Sequence, residues 1–189
     1  MKQMLTALRM LVLLSLLTGV LYPGLLLATG KVFFPEQAGG SLIRHNGTVI
    51  GSALLAQKFA QERYFWPRPS AADYATLPAE ASNLGPTSAA LRARVAERLA
   101  AAHGEAGRGG REMLFTSGSG LDPDISPESA RAQIPRVLKA RGMDAVPGGA
   151  DTLDVLVKRF TEPRTLGVLG EERVNVLRLN LALDGLSRE

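Results

Sequence analysis

The residues best suited to chemistry form one short stretch, SGSGLDPDIS, from Ser117 to Ser126. Gly118 and Gly120 alternate with serines, and a loop of this composition can turn its backbone N–H groups toward a phosphate. The carboxylates of Asp122 and Asp124 follow at once and are ligands that hard cations prefer. A turn ahead of a helix would use the same residue types. The stretch therefore permits three interpretations.

The phosphate interpretation lacks a cation. A phosphate-binding loop of the G-x-x-x-x-G-K-[ST] type needs a lysine that reaches the phosphates, and the next lysine along the chain is Lys139. Two carboxylates beside a phosphate would repel it. The glycines alone are a weak signal for nucleotide binding.

The calcium interpretation fails in the second half of the loop. Asp122, Asp124 and Ser126 match the first, third and fifth positions of a calcium-binding loop. Pro127 then stands where that loop needs glycine, and Gln133 stands where it needs a bidentate glutamate. A calcium loop of this kind is not expected.

The third interpretation, the start of a helix, accounts for most of the residues. Ser126 is a good N-cap, and Pro127 suits the first helical position. The pattern predicts a helix that runs from Pro127 to Arg141 and ends at Gly142. Pro135 falls inside it and predicts a kink or two short helices.

Composition excludes several classes of active site. The chain has no cysteine, which rules out thiolate chemistry and disulfides, and its two histidines are His45 and His103. Neither has a motif around it that indicates a metalloprotease or a nucleophilic triad. A formal net charge of +4 without a run of basic residues does not indicate nucleic-acid binding. The residues predict a non-catalytic protein.

The N-terminal segment is long and apolar enough to cross a membrane. No charged residue lies between Arg9 and Lys31, and a helix over residues 10–30 would be about 32 Å long against a hydrocarbon core of about 30 Å. Its apolar stretch exceeds that of a cleaved signal peptide. Pro23 predicts a kink, which membrane helices tolerate where neighbouring helices satisfy the backbone.

The division that follows is a tail over residues 1–9, a transmembrane helix over 10–30 and a soluble domain over 31–189. Lys2, Arg9 and the terminal amine make the short tail slightly the more positive side, so it is expected to stay in the cytoplasm. The domain is then extracytoplasmic.

The sequence pattern of the soluble part predicts a mixed α/β (α+β) domain. Asn46-Gly47 predicts a hairpin with strands at 41–45 and 48–51. Ser52 caps a predicted helix with Leu54, Leu55 and Phe59 on one face. A further helix is expected from Thr87 to Gly104, with His103 as a C-terminal cap.

The last elements are a helix and an apolar run. Asp151 is the predicted N-cap of a helix with an apolar face made by Leu153, Leu156, Val157 and Phe160. Half of residues 173–184 are Val or Leu, and these apolar residues change phase at Val176–Leu177. This favours a bulged strand paired with the hairpin at 41–51, with a buried helix as the alternative.

Aromatic residues concentrate between Tyr64 and Tyr74, where they either cover the core or form a surface for a partner. The candidates for contact with a partner are Pro23, Tyr64, Trp66, Arg68, Tyr74 and Asn83.

Four blocks together resemble one known family. GSALLAQKFAQERYFWPRPSAADY, SNLGPTS, SGSGLDPDISPESARAQIPRV and GEERVNVLRLNLALD are similar to the C subunit of the bacterial Kdp potassium-transporting P-type ATPase, the KdpC family. The resemblance covers nearly the whole chain. It implies an accessory subunit of the inner membrane without an active site of its own. The implied partners are a channel-like potassium-binding subunit, against which the single helix packs, a P-type ATPase subunit and a small fourth subunit.

The resemblance also implies a nucleotide hypothesis. The family is proposed to act as a catalytic chaperone that raises the ATP affinity of the ATPase subunit, which would place shared ATP near Ser117, Gly118, Ser119, Gly120 and Gln133. No tightly bound cofactor is implied. An extracytoplasmic domain would lie out of reach of cytosolic ATP. The alternative is that the subunit shapes access of K⁺ to the channel-like subunit, with Asp122 and Asp124 attracting the ion.

Overall fold

The computed structural model describes residues 1–102 and 110–186. The chain divides into two compact units, Met1–Ser52 and Ala53–Glu189. The first unit holds the apolar helix and a hairpin, and the second holds small antiparallel strands and helices, a mixed α/β arrangement. The division into residues 1–9, 10–30 and 31–189 stays a prediction.

One long helix dominates the first unit. It consists of α1 (Lys2–Leu16), a π-helical turn (Leu17–Leu21) and α2 (Tyr22–Phe33). The whole span, Lys2–Phe33, has 32 residues and a mean hydropathy of 2.2, long and apolar enough to cross a membrane. The predicted tail over residues 1–9 is helical from Lys2 onward.

The π turn lies directly before Pro23. The backbone N–H of Tyr22 donates to the carbonyl of Leu17, five residues earlier, in place of the usual four. A proline removes one N–H and crowds the preceding turn, and a wider turn relieves that crowding. The kink predicted at Pro23 stays a prediction, and the described helix has a π turn directly before that residue.

The hairpin follows a short helix, α3 (Pro35–Ala38). Strands β1 (Leu42–His45) and β2 (Thr48–Ser52) pair antiparallel with an irregularity between Ile43 and Arg44. Asn46 and Gly47 have φ of 49° and 80°, the positive values that a two-residue hairpin turn demands. The predicted hairpin is confirmed.

The second unit contains a three-stranded antiparallel sheet in the order β3-β5-β4. Its elements are α4 (Ala89–Ala101), a 3₁₀ turn (Gly110–Leu114), β3 (Asp124–Ile125), α5 (Pro127–Arg141), α6 (Gly149–Arg159), β4 (Thr161–Glu162), β5 (Arg173–Asn175) and α7 (Val176–Leu186). Ile125 pairs with Val174, and Thr161 pairs with Val174 from the other side.

The core of this unit lies where α5, α6, α7 and the sheet meet. Phe65, Val137, Leu153, Leu179 and Leu183 are fully buried in it. Of these, Phe65 is contributed by an irregular segment rather than by a helix or strand. The position of this segment therefore depends on contacts that the local sequence does not provide.

Helix α5 begins and ends where the sequence predicts. The Ser126 hydroxyl accepts the N–H of Ser129 at 3.1 Å, and Gly142 ends the helix with φ of 66°. Of the two alternatives predicted at Pro135, two short helices are wrong, since α5 is a single helix of 15 residues, and a kink stays a prediction. Pro135 lies on the exposed side, where the carbonyl that loses its N–H partner can turn to water.

The helix predicted after Ser52 is absent, because residues 53–88, all within the described part of the chain, form turns and irregular structure. The backbone of this segment bonds to distant partners instead of to its own next turn. The N–H of Ala56 donates to the carbonyl of Leu121 at 2.9 Å, and the carbonyl of Ala53 accepts from Asn175 Nδ2 at 2.8 Å. Tertiary hydrogen bonds thus override a helical pattern.

The predicted start of the helix near residue 151 is corrected. Helix α6 begins at Gly149 with Gly148 as N-cap, so Asp151 lies in its first turn and is not the cap. Leu153, Leu156 and Val157 form its buried face, as predicted.

The apolar run at 173–184 is neither a bulged strand nor a single helix. Its phase change at Val176 marks the point where β5 passes into α7. Strand β5 pairs with β3 and β4, so the predicted pairing with the hairpin is wrong.

Helix α4 matches its prediction at the start, where Ser88 caps it and accepts the N–H of Leu91. The predicted end at Gly104 and the capping role of His103 fall outside the described residues.

Candidate functional site

The Ser-Gly-Ser-Gly segment packs against the irregular segment between residues 53 and 80. The N–H of Ser117 donates to the carbonyl of Pro69 at 3.3 Å, and the N–H of Gly120 closes a turn onto Ser117 at 3.3 Å. The Ser119 hydroxyl accepts the N–H of Leu121 at 3.1 Å. Ser117 is buried, whereas Gly118 and Ser119 are exposed. These bonds hold the turn and join it to the neighbouring segment, whereas the buried Ser117 hydroxyl has no hydrogen-bond partner among the described residues.

The two glycines of this segment have different surroundings. Gly120 has φ of 72°, and a Cβ there would lie 2.7 Å from the carbonyl oxygen of Glu80 and 3.1 Å from Ser70 Oγ. A Cβ on Gly118 would meet nothing within 4 Å among the described residues. Only Gly120 is thus required by close packing and a left-handed conformation. The close packing and the positive φ explain why residue 120 is a glycine, so phosphate binding is not needed to account for it.

The two aspartates each pair with an arginine. Asp122 Oδ2 lies 3.6 Å from Arg68 Nη1, and Asp124 Oδ2 lies 3.5 Å from Arg173 Nε. Asp122 Oδ1 also accepts the N–H of Asp124 at 3.1 Å, which forms the turn expected at Asp122-Pro123. Asn175 Nδ2 donates to Asp124 Oδ1 at 3.1 Å.

Partial burial is the main influence on the pKa of the Asp124 carboxyl group. Loss of hydration raises its pKa above the usual value, and the hydrogen bond from Asn175 opposes that rise. The arginine partners reduce the negative potential that either aspartate presents to a passing cation. Of all the described residues, no three His, Cys, Asp or Glu side chains come together as a metal site.

Gln133 is fully buried on α5 and holds the backbone of Trp66. Its Oε1 accepts the Trp66 N–H at 2.8 Å, and its Nε2 donates to the Trp66 carbonyl at 3.1 Å. Arg136 Nη2 donates to the same Oε1 at 2.7 Å. The oxygen and the nitrogen of the Gln133 amide are therefore both hydrogen-bonded within the protein.

A second amide holds the neighbouring residue in the same way. Asn180 on α7 accepts the Phe65 N–H at 2.8 Å and donates to the Phe65 carbonyl at 2.9 Å. Gln133 and Asn180 each replace the strand that would otherwise pair with this backbone. We call these two residues the amide clamp.

Two arginines of α5 extend the amide clamp along the same segment. Arg136 donates to the carbonyls of Glu62 at 2.6 Å and Tyr64 at 3.0 Å, and its guanidinium lies 3.7 Å above the Trp66 ring. Arg141 donates to the Arg63 carbonyl at 2.9 Å. Asn180, Arg136 and Arg141 were not predicted from the sequence; the one signal is that Asn180 lies between Leu179 and Leu181.

The predicted contact residues are spread over both units. Pro23 lies in the apolar helix, and Asn83 is exposed. Tyr64, Trp66, Arg68 and Tyr74 are half-buried. The Tyr64 hydroxyl donates to Asp184 Oδ2 and the Tyr74 hydroxyl donates to the Arg68 carbonyl, both at 3.0 Å. Burial raises the pKa of Tyr74 from 10.0 to about 12.

Comparison with known proteins gives one consistent answer. The family described as "KdpC: K+-transporting ATPase, c chain" matches residues 4–185. The potassium-transporting ATPase KdpC subunit of Gemmatimonas aurantiaca is 51% identical over 180 residues, which is 92% of this chain and 88% of that relative. The subunit of the same name from Rhodospirillum rubrum is 53% identical over 177 residues, covering 90% and 89%. The chain therefore belongs to the KdpC family, the c chain of the K⁺-transporting ATPase.

Proposed function

We propose that this chain is a single-pass accessory subunit of a potassium-transporting P-type ATPase and that it has no active site of its own. Its N-terminus lies in the cytoplasm, the helix spans the inner membrane, and the second unit faces the outside. The observation that carries the proposal is family membership over residues 4–185 together with one apolar helix at Lys2–Phe33. The relatives are named as subunits of a potassium-transporting ATPase.

The proposed role is to assemble and stabilise the complex. Its partners are the channel-like subunit, the P-type ATPase subunit and the small fourth subunit. The Gln133 amide is hydrogen-bonded to the Trp66 backbone, and Gly120 is closely packed. Both observations support a structural role for the residues named in the nucleotide hypothesis. Any effect on the ATP affinity of the ATPase subunit is then transmitted through the assembled complex and needs no ATP on this chain.

Purification of the native complex tests this proposal. A tag on this chain should bring down the channel-like and ATPase subunits in a fixed ratio, and deletion of the chain should reduce the amount of intact complex recovered. Labelled ATP should bind to the ATPase subunit alone. Stable recovery of the full complex without this chain would refute the assembly role.

A second candidate role, attraction of K⁺ toward the channel-like subunit, stands on the partial exposure of Asp122 and Asp124. Both have arginine partners, so their effect on the local potential is reduced. Replacing both with asparagine should raise the apparent KM for K⁺ by less than about twofold, and the rise should be larger at low ionic strength. A KM that is unchanged at every ionic strength would remove this role.

A further inference from the structure

The hairpin that joins β4 to β5 ends in an apolar tip that is open to solvent. All ten residues from 163 to 172 are exposed, and three of them are large and apolar. Leu166 is 87% exposed, Val168 is 73% exposed and Leu169 is 59% exposed. We call these three residues the apolar tip.

The tip is an ordered turn. Thr165 and Leu169 exchange backbone hydrogen bonds of 2.8 and 3.0 Å, and the N–H of Gly167 donates to the carbonyl of Arg164 at 3.0 Å. Arg164 and Glu171 form an ion pair across the two arms. The apolar side chains are thus presented by a backbone that the turn already holds in place, which lowers the entropy cost of binding.

Leu166 is an unfavourable residue at its position in two respects. Its φ is 55°, in the left-handed region where glycine or asparagine is the ordinary choice. Its side chain is also almost fully in water. Local rules that are broken without a gain in the folded chain are a mark of functional positions. The tip therefore has a use outside this chain.

The charge around the apolar tip and the small size of the tip indicate which kind of partner can bind it. Residues 163–172 carry one net negative charge, because Arg164 pairs with Glu171 and Glu172 adds a second carboxylate, so the tip lacks the basic flanks that attract a segment to anionic lipid. Three side chains cover far less than the roughly 1,200 Å² that a stable interface between free proteins buries. A contact this small suffices only for a partner that is already held nearby, as subunits that share a membrane are.

We infer that the apolar tip inserts into an apolar pocket on the extracytoplasmic face of a membrane-embedded subunit of the same complex. This inference rests on the proposed function. The membrane helix supplies the high effective concentration, and the tip supplies a specific second contact.

Three variants of the full chain, produced in the native complex, test the inference. Leu166→Gly removes the side chain and suits the backbone, so the chain should be as stable as the wild type or more stable while its retention in the complex falls at least fivefold. Val168→Asp should lower retention in the same way. The matched control is Val155→Asp, since Val155 is an apolar residue on α6 that is 63% exposed. It should leave retention unchanged.

Photo-crosslinking identifies the occupant. A photoreactive amino acid at position 166 should label a membrane-embedded subunit, and one at position 155 should not. Wild-type retention of Leu166→Gly and Val168→Asp would overturn the inference, and so would crosslinking to lipid alone. If the wild-type chain itself did not co-purify with the other subunits, the proposed function would fail first, which separates the two failures.

Discussion

At the scale of single residues, Gly118 and Gly120 separate a structural role of the segment from a phosphate-binding role. Gly120→Ala places a Cβ against the Glu80 carbonyl at positive φ and should cost about 3 kcal/mol of folding free energy. Gly118→Ala should change it by less than about 0.5 kcal/mol. Denaturation of the full chain in detergent measures both, with transport activity alongside. Loss of transport in a stable Gly118→Ala variant would contradict the structural role.

Gln133 tests the amide clamp. Gln133→Met has a similar volume but leaves the Trp66 N–H and carbonyl without the partners described above. The free energy of unfolding should fall by about 2–4 kcal/mol, because buried backbone groups lose their hydrogen bonds. The exposed Gln61 provides the control, and Gln61→Met should have almost no effect. Equal stability of the two variants would show that the clamp contributes nothing.

The Tyr74 hydroxyl makes the free energy of unfolding depend on pH in the alkaline range. Its pKa is raised from 10.0 to about 12 in the folded chain, so the unfolded chain loses the proton first as the pH rises. The stability linked to this proton is complete below pH 10 and is lost as the pH rises toward 12. Tyr74→Phe should unfold about 1 kcal/mol more easily at neutral pH, yet lose less stability between pH 10 and 12. Denaturation midpoints at pH 8, 10 and 11 check this, and equal alkaline losses in both chains would contradict it.

At the scale of elements, local signals predicted best where the backbone satisfies itself locally. The Ser126 cap and Gly142 set the limits of α5, and Asn46-Gly47 set the hairpin turn, because each acts through bonds within a few residues. The helix expected after Ser52 failed because its backbone bonds to residues more than 60 positions away. No local pattern carries that information.

The C-terminal run shows a second reason for failure. Alternating valines are compatible with a strand and the leucines with a buried helix face. In the folded chain both occur in succession, with three residues in β5 before α7 begins. The change of phase at Val176 was visible in the sequence, but its cause depends on how β3 and α5 pack there. Gln133 and Trp66 were both named from the sequence, but no local pattern predicts that the Gln133 amide holds the Trp66 backbone.

Pro135 permits a stabilising change within α5. Its ring replaces a backbone N–H in an otherwise continuous helix, on the exposed side. Pro135→Ala restores that donor and should raise the free energy of unfolding by about 1–2 kcal/mol, after the greater freedom of the unfolded chain is subtracted. Lys139→Ala, also exposed on α5, should stay within about 0.5 kcal/mol of the wild type. A loss of stability in Pro135→Ala would mean that the proline shapes the helix.

At the scale of the whole molecule, the chain combines a helix that is long and apolar enough to cross a membrane with a second unit for which we propose no active site. The apolar span Lys2–Phe33 carries Lys2 and Arg9 near its start, and the positive-inside tendency is the reason that we propose a cytoplasmic position for that end. Under this orientation the second unit, with the Ser-Gly-Ser-Gly segment and the apolar tip, faces away from cytosolic ATP. The side of the membrane on which the second unit lies therefore decides between the assembly role and direct nucleotide binding.

The most direct measurement uses the absence of cysteine from the chain. Gly118→Cys introduces one thiol at an exposed position with room for a side chain. In intact cells whose outer barrier has been opened, a membrane-impermeant maleimide should label it, while Lys2→Cys should react only after the inner membrane is broken. Labelling of Gly118→Cys solely from the cytoplasmic side would contradict the account and restore the nucleotide hypothesis.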